Sequence, residues 1–218
     1  MDVVITEKAH DREAGAVARI VDDLAYSYAG IFSRESVAAV VHESHDLLAE
    51  RSSVHGYVLV LTERFARERL SAQAKAQGLR ASSTPEVLFI CVRNAGRSQM
   101  AAALMAHRSG GRVHVRSAGS EPGGEIHAVV QQAMAEIGVP LTEAFPKPLT
   151  NDVVRASDVV VTMGCGDACP YYPGKRYLDW NLADPGELPL KGVRVVRDSI
   201  DQHVQDLIAQ ILPDQPIR

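Results

Sequence analysis

The apolar run Glu86-Val-Leu-Phe-Ile-Cys-Val92 leads, through the short turn Arg93-Asn-Ala95, into a helical stretch from Gly96 to His107. The run is rich in β-formers and too short for a helix, so it reads as a buried strand. A buried strand that hands over directly to a helix is half of a βαβ unit, and such units build parallel sheets. The rest of the chain keeps the alternation. Val113–Val115 reads as a strand that ends in Ser-Ala-Gly119, and Val129–Ile137 as a helix closing at Gly138. Asp158-Val-Val-Val-Thr-Met163 is a further buried strand, and Ser199–Leu212 a final helix stopped by Pro213. With aromatic residues at only 5%, the core of this α/β domain is expected to be aliphatic.

The first 80 residues have a different texture. Val17, Ile20, Val21, Leu24 and Tyr28 fall on one helix face, and the pattern stops at Gly30. Ser33 is an N-cap for a second helix with Glu35 in its first turn and a stripe of Val37, Val40, Val41, Leu47 and Leu48. After a polar break at Arg51–Gly56, Tyr57–Gln77 holds Val58, Leu61, Phe65 and Leu70 among alternating charges; its periodicity is poorer, but its Ala, Glu, Arg and Gln favour a third helix. Three amphipathic helices joined by short connections predict a small bundle. The Gly78–Pro85 stretch, rich in Gly, Ser, Thr and Pro, is a linker by composition, so the domains are expected at residues 1–82 and 83–218.

Charge and composition exclude several roles. Residues 1–80 carry 10 Lys+Arg against 12 Asp+Glu, the wrong sign for gripping phosphate backbones, so no nucleic-acid partner is expected. No run of about 18 apolar residues exists, so no membrane span is expected. Met1–Lys8 lacks a basic segment followed by an apolar one. A cytoplasmic chain with reduced thiols is the reading that follows. His42 and His45, three apart in the order His-Glu-Ser-His, miss the spacing of a zinc helix and read as solvated histidines.

The segment from Cys91 to Ser98 has the form C-x5-R-S at a strand-to-helix turn. Backbone N–H groups of Val92, Arg93, Asn94, Ala95, Gly96, Arg97 and Ser98 can ring an oxyanion at the start of a helix. Arg97 can clamp two of its oxygens. A cysteine at the base feels the helix dipole and the guanidinium, both of which favour the thiolate. Such a thiolate is a nucleophile aimed at a tetrahedral oxyanion. The plainer alternative is a buried strand cysteine with Arg97 as a mere helix-end base. Arg93 is either a second cation beside the thiolate or a solvated side chain.

The stretch Cys91–Met100 (CVRNAGRSQM) closely resembles the active-site loop of the low-molecular-weight tyrosine phosphatase superfamily, and Arg97-Ser-Gln99 resembles its thiol-dependent arsenate reductases. Arg116-Ser-Ala-Gly119, Lys147-Pro-Leu-Thr150 and Met163-Gly-Cys-Gly-Asp-Ala-Cys-Pro170 look like the same branch, and an N-terminal three-helix extension is similar to that of some actinobacterial members. The resemblance implies a parallel four-stranded sheet flanked by helices behind the N-terminal bundle. It implies that Asp184, in Asp184-Pro185, is the general acid, with Asp179 the competing carboxylate. It implies further that Ser98 bonds the thiolate and Asn94 holds the loop backbone. Phosphatase chemistry needs one cysteine, whereas Cys165 and Cys169 suit a relay in which Cys91 attacks arsenate, Cys165 attacks Cys91, and Cys169 attacks Cys165. Arsenate is then the substrate, phosphate or sulfate compete, and thioredoxin is the reductant, with mycothiol and mycoredoxin as the alternative. No cofactor and no metal are expected: a zinc site would need Cys91, already committed to the loop. The other readings are a tyrosine phosphatase and a non-enzymatic arsenic sensor.

Overall fold

A computed structural model describes residues 2–50, 55–80, 83–164 and 169–212, with side chains from residue 12 onward except those of 55 and 56. The chain divides into two compact units, Met1–Arg80 and Ala81–Arg218.

The first unit is three helices: α1 (Asp2–Ser27), α2 (Arg34–Ala49) and α3 (His55–Ala76). Its core takes Val17, Ile20, Val21, Leu24 and Tyr28 from α1 and Val37, Val40 and Val41 from α2, as the stripes predict, and Ala66 and Leu70 from α3, of which the sequence marks only Leu70. The Ser33 hydroxyl accepts the Ser36 N–H at 3.2 Å and caps α2. Arg69, only 4% exposed, is held by the Ser44 hydroxyl at 3.1 Å and Glu43 Oε2 at 2.8 Å. Two details depart from expectation. His55 and Gly56 already belong to α3, so the polar break is shorter than its composition suggested. His42 is exposed, but His45 is half-buried, with Nε2 3.2 Å from Glu13 Oε1.

In the second unit, β1 (Glu86–Cys91), β2 (His114–Gly119), β3 (Val159–Met163) and β4 (Arg176–Asp179) form one parallel sheet in the order β2-β1-β3-β4. The helices are α4 (Arg97–Ser109), α5 (Ala128–Ala135), α6 (Asn151–Ala156) and α7 (Leu190–Ile211), with a 3-10 turn at Pro185–Glu187. Val87, Phe89 and Cys91 pack into one core with Met100, Leu104, Met134, Val161, Ile200 and Val204. Leu88 and Ile90, which alternate to the other face, are equally buried, so the sheet is covered on both sides.

Three elements were hidden from the sequence reading. β4 lies in a stretch where the apolar pattern marked no strand. As an edge strand it is exposed at Arg176 and Asp179 and only half-buried between them, so no apolar run marks it. α6 is a helix of only 6 residues. α7 starts at Leu190 rather than Ser199, because Gly192 and a cluster of valines mask a helical pattern in Val193, Val196, Ile200 and Val204. Among the described residues no helix is long and apolar enough to cross a membrane.

The register fixes where the site must lie. Cys91, last in β1, pairs with Gly119 of β2 on one side and Met163 of β3 on the other. The carboxyl edge of the sheet therefore brings together Cys91, the segment after Gly119 and the segment after Met163.

Candidate active site

The turn from β1 into α4 is shaped by the segment that follows β2. The Ser120, Glu121, Gly123 and His127 N–H groups donate to the carbonyls of Cys91, Val92, Arg93 and Ala95 at 3.2, 2.9, 2.9 and 3.1 Å. In a trans peptide the N–H of the next residue points opposite the carbonyl. Holding these carbonyls against residues 120–127 turns the amides of Val92, Arg93, Asn94 and Gly96 to the other side. There they meet the N-terminus of α4, where the helix dipole also favours an anion. Gly119 permits the approach: a Cβ there would stand 2.8 Å from the Val92 carbonyl oxygen.

Beneath the loop a chain of hydrogen bonds leads to the sulfur. The Lys147 backbone N–H can only donate, and it donates to Asn94 Oδ1 at 2.9 Å. Gln99 Nε2 donates to the same oxygen at 3.0 Å and to the Phe145 carbonyl at 2.8 Å. The Asn94 amide nitrogen is thereby turned to Ser98, whose hydroxyl oxygen it meets at 2.8 Å. With that oxygen accepting from Asn94, the Ser98 hydroxyl proton is left for Cys91 Sγ, 3.0 Å away. Cys91 is 2% exposed, and Asn94 and Ser98 are fully buried. Asn94 also takes a left-handed backbone, φ +48°. The sequence marked Gln99 only as a motif residue; the structure gives it a position in this chain.

Arg97 and Asp184 meet directly. Arg97 Nη2 donates to Asp184 Oδ2 at 2.8 Å and Nη1 to the Leu182 carbonyl at 3.2 Å. Arg97 is 8% exposed, while more than half of the Asp184 side chain is open to solvent. Asp184 Oδ1 accepts the Gly186 N–H at 2.9 Å and caps the turn that begins at Pro185. Asp179, the competing carboxylate, is occupied on β4 by the Thr162 hydroxyl at 2.6 Å. Gly96 is packed so closely that a Cβ would stand 2.7 Å from Pro185 Cγ. Arg93 is exposed, which favours the solvated reading for its side chain. His127, to which the sequence assigned nothing, places its imidazole against Gly186 and its backbone N–H against the loop.

Cys91 and Cys169 are both present as thiols. Cys169 is half-buried on the segment that leaves β3, with Sγ 3.8 Å from the Pro170 carbonyl oxygen. Cys165 lies outside the described residues. Gly164, just before it, has φ +75°, and a Cβ there would crowd Arg97 Nη1 at 3.0 Å.

Residues 86–216 match the family described as low molecular weight phosphotyrosine protein phosphatase, and residues 17–74 match the protein-tyrosine-phosphatase-like N-terminal domain. The structure is similar to a thioredoxin-dependent arsenate reductase of Corynebacterium glutamicum, with a TM-score of 0.83, 49% identity, and coverage of 91% of this chain and 98% of that one. A putative arsenate reductase of Halobacterium salinarum is 35% identical over 139 residues, 62% of this chain and 98% of the relative. A glutaredoxin arsenate reductase of Synechocystis sp. is 33% identical over 129 residues, 58% of this chain and 98% of the relative.

Proposed function

The chain belongs to the low molecular weight phosphotyrosine protein phosphatase family, and on that premise we propose that it reduces arsenate to arsenite, using Cys91 as nucleophile and Cys165 and Cys169 as a disulfide relay. The observation that carries this reading beyond phosphatase chemistry is the second thiol, Cys169, half-exposed on the segment leaving the strand that neighbours Cys91. The resemblance to the thioredoxin-dependent enzyme across nearly the whole chain supports it.

The reaction runs in balanced steps. Arsenate enters the ring of amides from Val92 to Ser98, and Arg97 turns its guanidinium onto two arsenate oxygens. This competes with the Arg97–Asp184 bond and frees the carboxylate, which takes up a proton from water. The Cys91 thiolate, bonded by the Ser98 hydroxyl, attacks arsenic; an As–S bond forms and an oxygen leaves as water with the proton of Asp184. Cys165, as thiolate, attacks the Cys91 sulfur. An S–S bond forms, the As–S bond breaks, and its electron pair reduces As(V) to As(III), which leaves as arsenite. Cys169 then attacks Cys165, returning Cys91 as thiolate and leaving a Cys165–Cys169 disulfide. A dithiol protein, thioredoxin in this reading, supplies two electrons and two protons to restore the pair. Phosphate and sulfate share the tetrahedral oxyanion geometry and compete, but thiols do not reduce them. Such a cycle places the chain in the cytoplasm, where thioredoxin is kept reduced.

The test is arsenate-dependent NADPH oxidation with thioredoxin and thioredoxin reductase. Wild type turns over many times. Cys169→Ser releases one arsenite per chain and stops, and Cys165→Ser releases none. If both variants turn over at the wild-type rate, the relay is wrong. If arsenate gives no turnover in wild type but p-nitrophenyl phosphate does, the chain is a phosphatase.

A further inference from the structure

Residues 170–172, which follow Cys169, are bonded to β4 through the Tyr177 phenol. Tyr177 Oη donates to the Pro170 carbonyl at 3.2 Å and accepts the Tyr172 N–H at 2.9 Å. The Cys169 thiol approaches the same Pro170 oxygen at 3.8 Å. Tyr177 itself is fixed by the sheet, where it is paired with Val160 of β3. Around it Tyr171 stacks on the ring with centroids 4.9 Å apart, and the Tyr172 hydroxyl donates to Asn151 Oδ1 at 3.0 Å. The Arg155 guanidinium lies over the Tyr172 ring at 5.1 Å. Residues 170–172 are thus held by backbone and side chain alike. Burial raises the Tyr177 phenol above its ordinary value; the Tyr172 N–H opposes the rise, and the charge of Cys169 adds to it. The phenol therefore remains a protonated donor at neutral pH.

We infer that Tyr177 is the positioning residue for Cys169: its hydroxyl pins the Pro170 carbonyl and the Tyr172 amide to β4 and so sets where the last thiol of the relay stands. The inference rests on the relay proposed above and concerns its final exchange. In that step the Cys169 thiolate attacks the Cys165 sulfur, the Cys165–Cys169 bond forms, and the Cys91–Cys165 bond breaks with its electron pair on Cys91. Thiol–disulfide exchange needs the attacking sulfur in line with the bond it breaks. An error of about 1 Å costs roughly 100-fold in such aligned reactions. Tyr177 acts through the backbone that bears Cys169.

Tyr177→Phe keeps the ring stacked on Tyr171 and removes only the hydroxyl. Wild type and variant are each given one equivalent of arsenate without reductant, then quenched and mapped for disulfides. Both release one arsenite per chain. Wild type ends with Cys165–Cys169, whereas Tyr177→Phe accumulates Cys91–Cys165. In the thioredoxin-coupled assay, kcat of the variant falls about tenfold or more with the KM for arsenate unchanged. Tyr172→Phe, which breaks only the bond to Asn151, keeps the wild-type disulfide distribution and marks the effect as specific to Tyr177. A wild-type distribution and rate in Tyr177→Phe overturns the inference. So does a variant that loses arsenite release and thermal stability together, because that is a structural role. Failure of the relay itself reads out separately, as wild-type turnover in Cys169→Ser.

Discussion

Asn94 holds the loop by two separable means, its backbone at φ +48° and its side chain bonded to Lys147, Gln99 and Ser98. The two can be separated by substitution. Asn94→Gly keeps the left-handed backbone accessible and deletes the bonds, leaving buried donors unmatched, at about 1–3 kcal/mol of stability. Asn94→Ala loses the same bonds and adds roughly 1 kcal/mol for a left-handed alanine. In urea unfolding Asn94→Ala is expected below Asn94→Gly, and both below wild type. Equal midpoints for the two variants would mean the backbone conformation is not strained. Gly96 tests a different property. The Cβ of Gly96→Ala would meet Pro185 Cγ at 2.7 Å and push the Asp184 loop away from the cysteine loop. Because the reacting groups must stay aligned, kcat for arsenate is expected to fall roughly 100-fold. Pro185 is itself buried, so some stability is lost with its displacement, and kcat is compared at a temperature where the variant is fully folded. A variant with wild-type kcat would detach Asp184 from the chemistry.

The helices behind the site are joined by ion pairs that report on pH. Glu136, at the end of α5, accepts a fork of two bonds from Arg194 of α7 at 2.6 and 2.8 Å. That hydrogen bonding, with smaller contributions from the charges of Arg194 and Arg197, lowers the Glu136 carboxyl below its reference of 4.5. A depressed carboxyl contributes stability above its unfolded pKa and loses it as pH falls through the folded one. Wild type is therefore expected to melt above Glu136→Gln near neutral pH, with the gap closing below 4.5. Melting curves from about pH 7 to about pH 3 check this, and a gap independent of pH would assign the effect to packing. The same part of the molecule shows what the sequence could and could not carry. β1 and β3 were legible because they are buried on both faces and read as unbroken apolar runs. β4 was not, because it is an edge strand whose burial comes from tertiary context. Half of α7 was hidden by β-branched residues and Gly192, whose poor helix propensity is overridden by packing against α4 and α5. Within the site, Cys91 and Arg97 could be named from motif chemistry, and Asp184 from the family resemblance. Gln99 and His127 could not, because their places depend on Phe145 and Gly186, distant in sequence.

At the scale of the molecule, the two units have separate cores: Val17 to Leu70 in the first, Val87 to Ile208 in the second. Every residue given a role in arsenate chemistry lies in the second. The family match to residues 86–216 lies entirely within the second unit. A domain with its own buried core and a boundary in a polar linker is expected to fold alone. Residues 81–218 produced by themselves should give a single cooperative unfolding transition and the kcat and KM for arsenate of the full chain in the thioredoxin-coupled assay. The helical unit has its own core and a mildly acidic surface composition, and nothing in the oxyanion chemistry calls on it. Loss of the cooperative transition would mean that the second core depends on the first. A folded fragment with normal single-turnover arsenite release but a raised KM for thioredoxin would instead assign the helical unit to the encounter with the reductant. These two outcomes are separable because the first appears in a melt without substrate, and the second only when the partner concentration is varied.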